Sequence, residues 1–140
     1  MDFLQSDEGF LIQVEAVFRK ESLDRLARMS HLLEQAARPP LGDGAGSLEE
    51  LHRLAHGMKG SASMIGWDDI ARCAKGLEDL FRAVLDGNTT LGLTSTEIAQ
   101  DAVRALSERI SDDPSNDVTS GDLLLIAQRL RLAVRPGRLG

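Results

Sequence analysis

The stretch Leu51-His52-Arg53-Leu54-Ala55-His56-Gly57-Met58-Lys59-Gly60-Ser61-Ala62 sets two histidines, a lysine and two glycines among regularly spaced apolar residues. The apolar positions Leu48, Leu51, Ala55, Met58, Ala62 and Ile65 advance in steps of three and four, the stripe of a helix buried along one face. His56 falls one residue, about 100°, off that stripe. Its ring is therefore expected at the edge of a core, held by packing on one side and open to solvent at one nitrogen. Lys59 at i+3 and Gly60 at i+4 share its face. A glycine inside a helix costs roughly 1 kcal/mol against alanine, so Gly57 and Gly60 serve something other than helix stability. Helical side chains lean toward the N-terminus, and one at position 60 would overhang the turn that holds His56. The gap leaves room for another protein to reach the imidazole.

Outward from this helix, of about residues 48–65, the chain reads as helices with almost no strand signal. A long helix from about Asp7 to Ala37 carries Leu11, Val14, Phe18, Leu26, Met29, Leu33 and Ala36 on one face and stops before Pro39-Pro40. The connector Arg38 to Gly46 is rich in proline and glycine, and Ser47 with Glu50 has the spacing of a capping box opening the histidine helix. Gly66 is placed to end that helix as a left-handed cap. A third helix from near Asp68 turns Ile70, Ala74, Leu77, Phe81 and Val84 inward and breaks at Asp86-Gly87-Asn88. Thr94 and Glu97 suggest a second capping box before a fourth helix with Ile98, Ala102, Leu106 and Ile110. Ser111 to Gly121 reads as an acidic linker. A fifth helix, about Asp122 to Arg135, offers Leu123, Ile126, Leu130 and Ala133. Short connections between amphipathic helices favour antiparallel neighbours. The expected fold is all-α: an antiparallel up-down four-helix bundle with one additional helix, in a single domain over residues 1–135, followed by a tail or the start of a linker at 136–140.

A hairpin through Gly66 sets His56, ten residues before the turn, opposite roughly residues 75–78 after it. Glu78 is the only carboxylate in that window. A carboxylate that accepts from Nδ1–H fixes the tautomer in which Nε2 is the free nucleophile, and it stabilises positive charge as that nitrogen attacks. Glu78 is the candidate for this role. Read more plainly, it is an i,i+3 partner of Lys75.

Ala55-His56-Gly57-Met58-Lys59-Gly60-Ser61-Ala62-Ser63-Met64-Ile65-Gly66 followed by Leu77-Glu78 resembles the histidine phosphotransfer (HPt) domain, most closely the N-terminal phosphotransfer domain of chemotaxis-type histidine kinases. Upstream, Phe18-Arg19-Lys20-Glu21 is similar to the Phe-x-x-Glu helix of that form, and the likeness spans about residues 10–110. The resemblance implies a phosphocarrier of two-component signalling, with His56 as phosphoacceptor, Glu78 orienting it and Lys59 steadying the phosphoryl oxygens as a point charge. Docking of partners is expected over His52, Gly57, Gly60 and Ser63, with His52 an exposed neighbour that shapes that surface. Those partners are a response-regulator receiver domain and an ATP-binding kinase domain in cis or in trans, which bring the Mg²⁺ and ATP; no cofactor is expected in this chain. One departure stands out. Chemotaxis-type domains often have a second histidine three residues before the glutamate, and here that position is Lys75, whose charge could compete with His56 for Glu78.

Composition agrees with a single intracellular domain. The chain has 140 residues, 42% of them hydrophobic, enough to bury a core. The lone cysteine, Cys73, excludes an internal disulfide and is expected buried and inert. No apolar run or leader pattern is evident, so no membrane association and a cytoplasmic location are expected, with the isolated domain a monomer. A net charge of −6 and 4% aromatic residues without tyrosine argue against nucleic acid as a partner.

Other readings of the same residues stay open. His52 and His56 at i and i+4 have the spacing of a two-histidine metal edge, but no third ligand is evident, since His31 is on another helix, and no metal is expected. Gly42-Asp43-Gly44-Ala45-Gly46-Ser47 lacks the lysine and the preceding strand of a phosphate-binding loop. The alternatives to a phosphocarrier are a helical interaction module without phosphorylation, or a kinase dimerisation domain. Against the latter, such domains usually follow the histidine with an acidic residue, and here Gly57 follows.

Overall fold

Two left-handed glycines set the helical hairpins. Gly66 (φ +82°) and Gly87 (φ +79°) are the positive-φ residues among those described, each just past the end of a helix. The Gly66 N–H bonds to Ser63 O at 3.3 Å and the Trp67 N–H to Ala62 O at 2.9 Å; Gly87 to Val84 O and Asn88 to Ala83 O repeat the pair. Both are Schellman caps, which satisfy the last carbonyls of a helix and turn the chain sharply. The computed structural model describes residues 3–36, 44–111, 115 and 117–134, with side chains from Glu8 in the first helix and from Gly46 in the second. Among these residues lie five helices and no strand: α1 (Phe3–Ala36), α2 (Gly44–Ile65), α3 (Asp68–Leu85), α4 (Leu93–Ile110) and α5 (Ser120–Ala133). None of them is long and apolar enough to cross a membrane.

Contacts between helices give the directions. Arg25 of α1 lies against Gly57 of α2, and Arg28 pairs with Glu50 at 2.8 Å, so α1 and α2 run antiparallel. Asp69 at the start of α3 meets Arg109 at the end of α4. Helix α1 closes the ring against α4. Helix α5 lies along α3 and α4, parallel to α3, with Ser120 beside Asp69 and Leu130 beside Gly76. The result is an up-down four-helix bundle with a fifth helix laid on one side. The core joins Phe18, Leu26, Met29 and Leu33 of α1, Leu51, Ala55, Met58 and Ala62 of α2, and Ile70, Ala74, Leu77, Leu80 and Phe81 of α3. Ile98, Ala102, Leu106 and Ile110 of α4 complete it with Leu123 and Leu130 of α5. Trp67 closes one end, edge-on to Phe18 at 4.8 Å and under the Arg19 guanidinium at 5.2 Å.

Several sequence expectations are corrected. Helix α1 begins at Phe3, not Asp7, and Leu11, expected in the core, is 60% exposed beside exposed Phe10 and Ile12. These turns pass the end of the bundle that Trp67 closes, where no other helix among the described residues covers their apolar side chains. Helix α2 begins at Gly44, which makes Gly44 to Ser47 helical rather than a connector and leaves Ser47 too far inside to cap it; Glu50 bonds to Arg28 instead. Helix α4 starts after Gly92 without a side-chain cap, so Thr94 and Glu97 form no capping box. The box forms at α5, where the Thr119 hydroxyl accepts from the Asp122 N–H and the Asp122 carboxylate accepts from the Thr119 N–H. Ser120 and Gly121 are thus helical, and the Ser120 hydroxyl donates to Asp69 at 2.6 Å. Residues 37–43, 112–114, 116 and the 135–140 tail lie outside the described residues.

One close approach leads to a prediction. A Cβ added at Gly76 would stand 3.0 Å from Leu130 Cδ1 and 3.1 Å from Leu130 Cβ. Gly76→Ala gains about 1 kcal/mol of helix propensity and incurs about 1–3 kcal/mol of overpacking. A lower melting temperature is expected, with α5 loosened from α3; a higher one would show that Leu130 gives way freely.

Candidate functional site

The α2–α3 hairpin brings four polar side chains to one seam. Glu78 sits on α3 next to core-facing Leu77, and its side chain is 12% exposed. Its Oε2 lies 2.6 Å from His56 Nδ1, and its Oε1 lies 2.8 Å from Lys59 Nζ. Lys59 thus pairs with the carboxylate oxygen that His56 leaves. Burial pushes the Glu78 carboxyl up, but the combined attraction of Lys59 and His56 outweighs it and holds the group below its ordinary value of 4.5. Glu78 is thus an acceptor only. The proton in its short bond with His56 must reside on Nδ1, which leaves the Nε2 lone pair free on a side chain that is 63% exposed.

Lys75 does not compete. Its ammonium pairs with Asp79, one turn on, at 3.0 Å.

His52 was expected as an exposed neighbour and lies deeper. Its side chain is 18% exposed, its Nε2 is 3.8 Å from Glu78 Oε2, and its ring is within 15° of parallel to that of His56, with centroids 6.4 Å apart. Burial, then the Arg82 charge, push His52 down from its ordinary value against the pull of Glu78. His31 is exposed on α1 and takes no part in the seam. Among the described residues no group of three or more histidine, cysteine, aspartate or glutamate side chains is placed to hold a metal ion. Cys73 is fully buried, its thiol pushed up to about 12 by burial and by the Asp69 charge.

Gly60 and Ser63 are exposed on the same outward side of α2 as His56, with Gly57 partly covered at the flank. The flank of Gly57 belongs to α1: a Cβ there would meet Arg25 Cζ at 3.4 Å, and Arg25 Nη1 is buried with no hydrogen-bond partner among the described residues. Sequence reasoning missed Arg25, because a residue on α1 carries no local signal of what it faces on α2.

A Cβ at Gly60 would meet nothing within 4 Å among the described residues, so close helix packing does not explain this glycine. Gly60→Gln is expected to raise the melting temperature, by up to about 1 kcal/mol of propensity, while obstructing any partner that approaches His56. Calorimetry beside a phosphotransfer assay checks it. A stabler variant phosphorylated as fast as the parent would show that the gap is not used in docking.

The profile of the Hpt domain matches residues 13–113, which take in most of α1 and all of α2, α3 and α4 and stop before α5. Comparison with curated proteins and with solved structures gives no match.

Proposed function

The chain belongs to the Hpt domain family, the histidine phosphotransfer domains of two-component signalling, and from that premise we propose that His56 is its phosphoacceptor. Nε2 attacks the phosphorus of a donor, either ATP held by a histidine kinase domain or the acyl phosphate of a receiver aspartate. The donor's P–O bond breaks as the N–P bond forms. The reverse geometry hands the group to a receiver aspartate, and the partner domains bring the nucleotide and Mg²⁺. Glu78 keeps Nδ1 protonated and offsets the positive charge that grows on the ring, while Lys59 faces the incoming phosphoryl oxygens. The observation that carries this reading is the 2.6 Å contact of His56 Nδ1 with an ionised, lysine-paired carboxylate, on a side chain that stays 63% exposed. The chemistry asks for little more than a nucleophile of fixed tautomer on a rigid helix.

We further assign the chain to the chemotaxis-kinase form, on the Phe18 to Glu21 motif and the Leu77-Glu78 pair, acting as a monomer in the cytoplasm with a kinase domain in cis or in trans and a receiver as its partners. The docking face is Gly57, Gly60 and Ser63, bordered by the partly buried His52. The test is incubation with a panel of histidine kinase domains and phosphorylated receivers. An acid-labile, base-stable phosphoryl group mapped to His56 is the expected result. A chain that docks with these partners and never takes up label is instead an interaction module of the same fold.

A further inference from the structure

We propose that His52 is a positioning residue of the phosphoacceptor site, acting through Glu78 to set how firmly that carboxylate holds His56 Nδ1–H. The inference deepens the phosphocarrier reading and rests on it for its consequence, though not for its geometry. Two imidazoles converge on one carboxylate oxygen, His56 Nδ1 at 2.6 Å and His52 Nε2 at 3.8 Å from Glu78 Oε2, with the rings nearly parallel. The His52 side chain is turned into the seam rather than toward solvent, at 18% exposure against 63% for His56. At 3.8 Å a neutral ring makes no hydrogen bond to the carboxylate. In that state Oε2 belongs to His56 alone. A protonated His52 is a cation beside the same oxygen and draws on the charge that His56 relies on.

The surroundings favour the neutral state. The charged groups facing His52 are Glu78, Asp79 and Arg82 of α3 and His56 of its own helix. Arg82 also reaches Asp86 at 3.6 Å, and Asp79 is paired with Lys75. Arg25, Arg28 and Glu50 belong to the opposite flank of α2, against α1. Burial and the Arg82 charge lower the tendency of His52 to protonate, and Glu78 raises it. The site therefore works with a neutral His52 and weakens when that ring gains a proton.

The test begins with ¹⁵N NMR titration of the imidazoles in the unphosphorylated protein, between about pH 8 and pH 5. The Nδ1–H signal of His56 should move toward that of a weaker hydrogen bond at the midpoint of His52, and this step should be missing in His52→Gln. In Glu78→Gln the His52 midpoint should fall, since an attractive charge has gone. Labelling with phosphoramidate, which transfers its phosphoryl group to an imidazole and releases ammonia, then measures the chemistry without a protein partner. The rate of His52→Gln relative to the parent should rise by about fivefold to tenfold as pH falls through the His52 midpoint, the scale of one weakened charge-assisted hydrogen bond. A His56 signal blind to His52, or a rate ratio flat across the range, overturns the proposal. Failure of phosphoramidate to label either protein counts against the phosphocarrier reading, while the titration still decides whether His52 controls the bond.

Discussion

Replacing His56 with glutamine is expected to eliminate phosphoryl uptake altogether while leaving the helical spectrum intact. The side chain is 63% exposed and meets the rest of the protein mainly through Glu78, so its loss from the fold amounts to at most one charge-assisted hydrogen bond, about 1.5–3 kcal/mol. The chemistry has no substitute. His52 is turned into the seam at 18% exposure, and His31 lies on α1 outside it, so neither stands in for His56. Radiolabel transfer from a kinase domain, with circular dichroism and a melting curve on the same preparation, separates the two effects. Residual labelling at His52 or His31 would move the acceptor and undo the assignment.

The second large effect belongs to Glu78→Gln, which keeps the shape of the side chain and removes its charge. An amide can donate as well as accept, so it pairs with either tautomer of His56 and no longer reserves Nε2 for attack. The bond lost is charge-assisted, worth about 1.5–3 kcal/mol, and phosphorylation should slow about tenfold to a hundredfold. Stability should respond to pH with a definite sign. The folded carboxyl is held below its ordinary value of 4.5, so the stability it contributes is complete above that value and is lost as pH falls through the lower, folded one. Parent and variant should therefore differ most in melting temperature near neutral pH and converge on acidification. A difference that grows toward acid would mean that the buried seam disfavours the ionised form.

The seam was legible because two counts agree. The stripe through Leu51, Ala55 and Met58 fixed the rotation of α2, and the distance of His56 from Gly66 fixed the register across the hairpin, so Glu78 followed as the facing carboxylate. What escaped the sequence depended on neighbours. The stripe of α1 continues through Leu11 and Val14, yet periodicity says only which face is apolar and not whether another helix is there to cover it; Leu11 stands in solvent. Ser47 and Glu50 had the spacing of a cap, but the helix began a turn earlier and Arg28, on another helix, took the glutamate. Gly76 has no periodic signature at all, since its reason is the Leu130 side chain on α5. Lys75 had two carboxylates within reach on its own helix, and pattern alone did not show that it would take Asp79.

The acceptor histidine, the orienting glutamate and the lysine all lie within one hairpin, residues 44–85, joined by the Gly66 turn. In terms of folding order this makes the chemistry local. Contacts at so short a sequence separation close small loops at low entropic cost and form early, whereas the docking of α1 on α4 joins distant parts of the chain and is intrinsically slower. As the chain leaves the ribosome, His56 can meet Glu78 before α5 has emerged. The later helices then supply the stability that keeps the hairpin closed, and substitutions such as Gly76→Ala should change how often the site is open rather than how it is built.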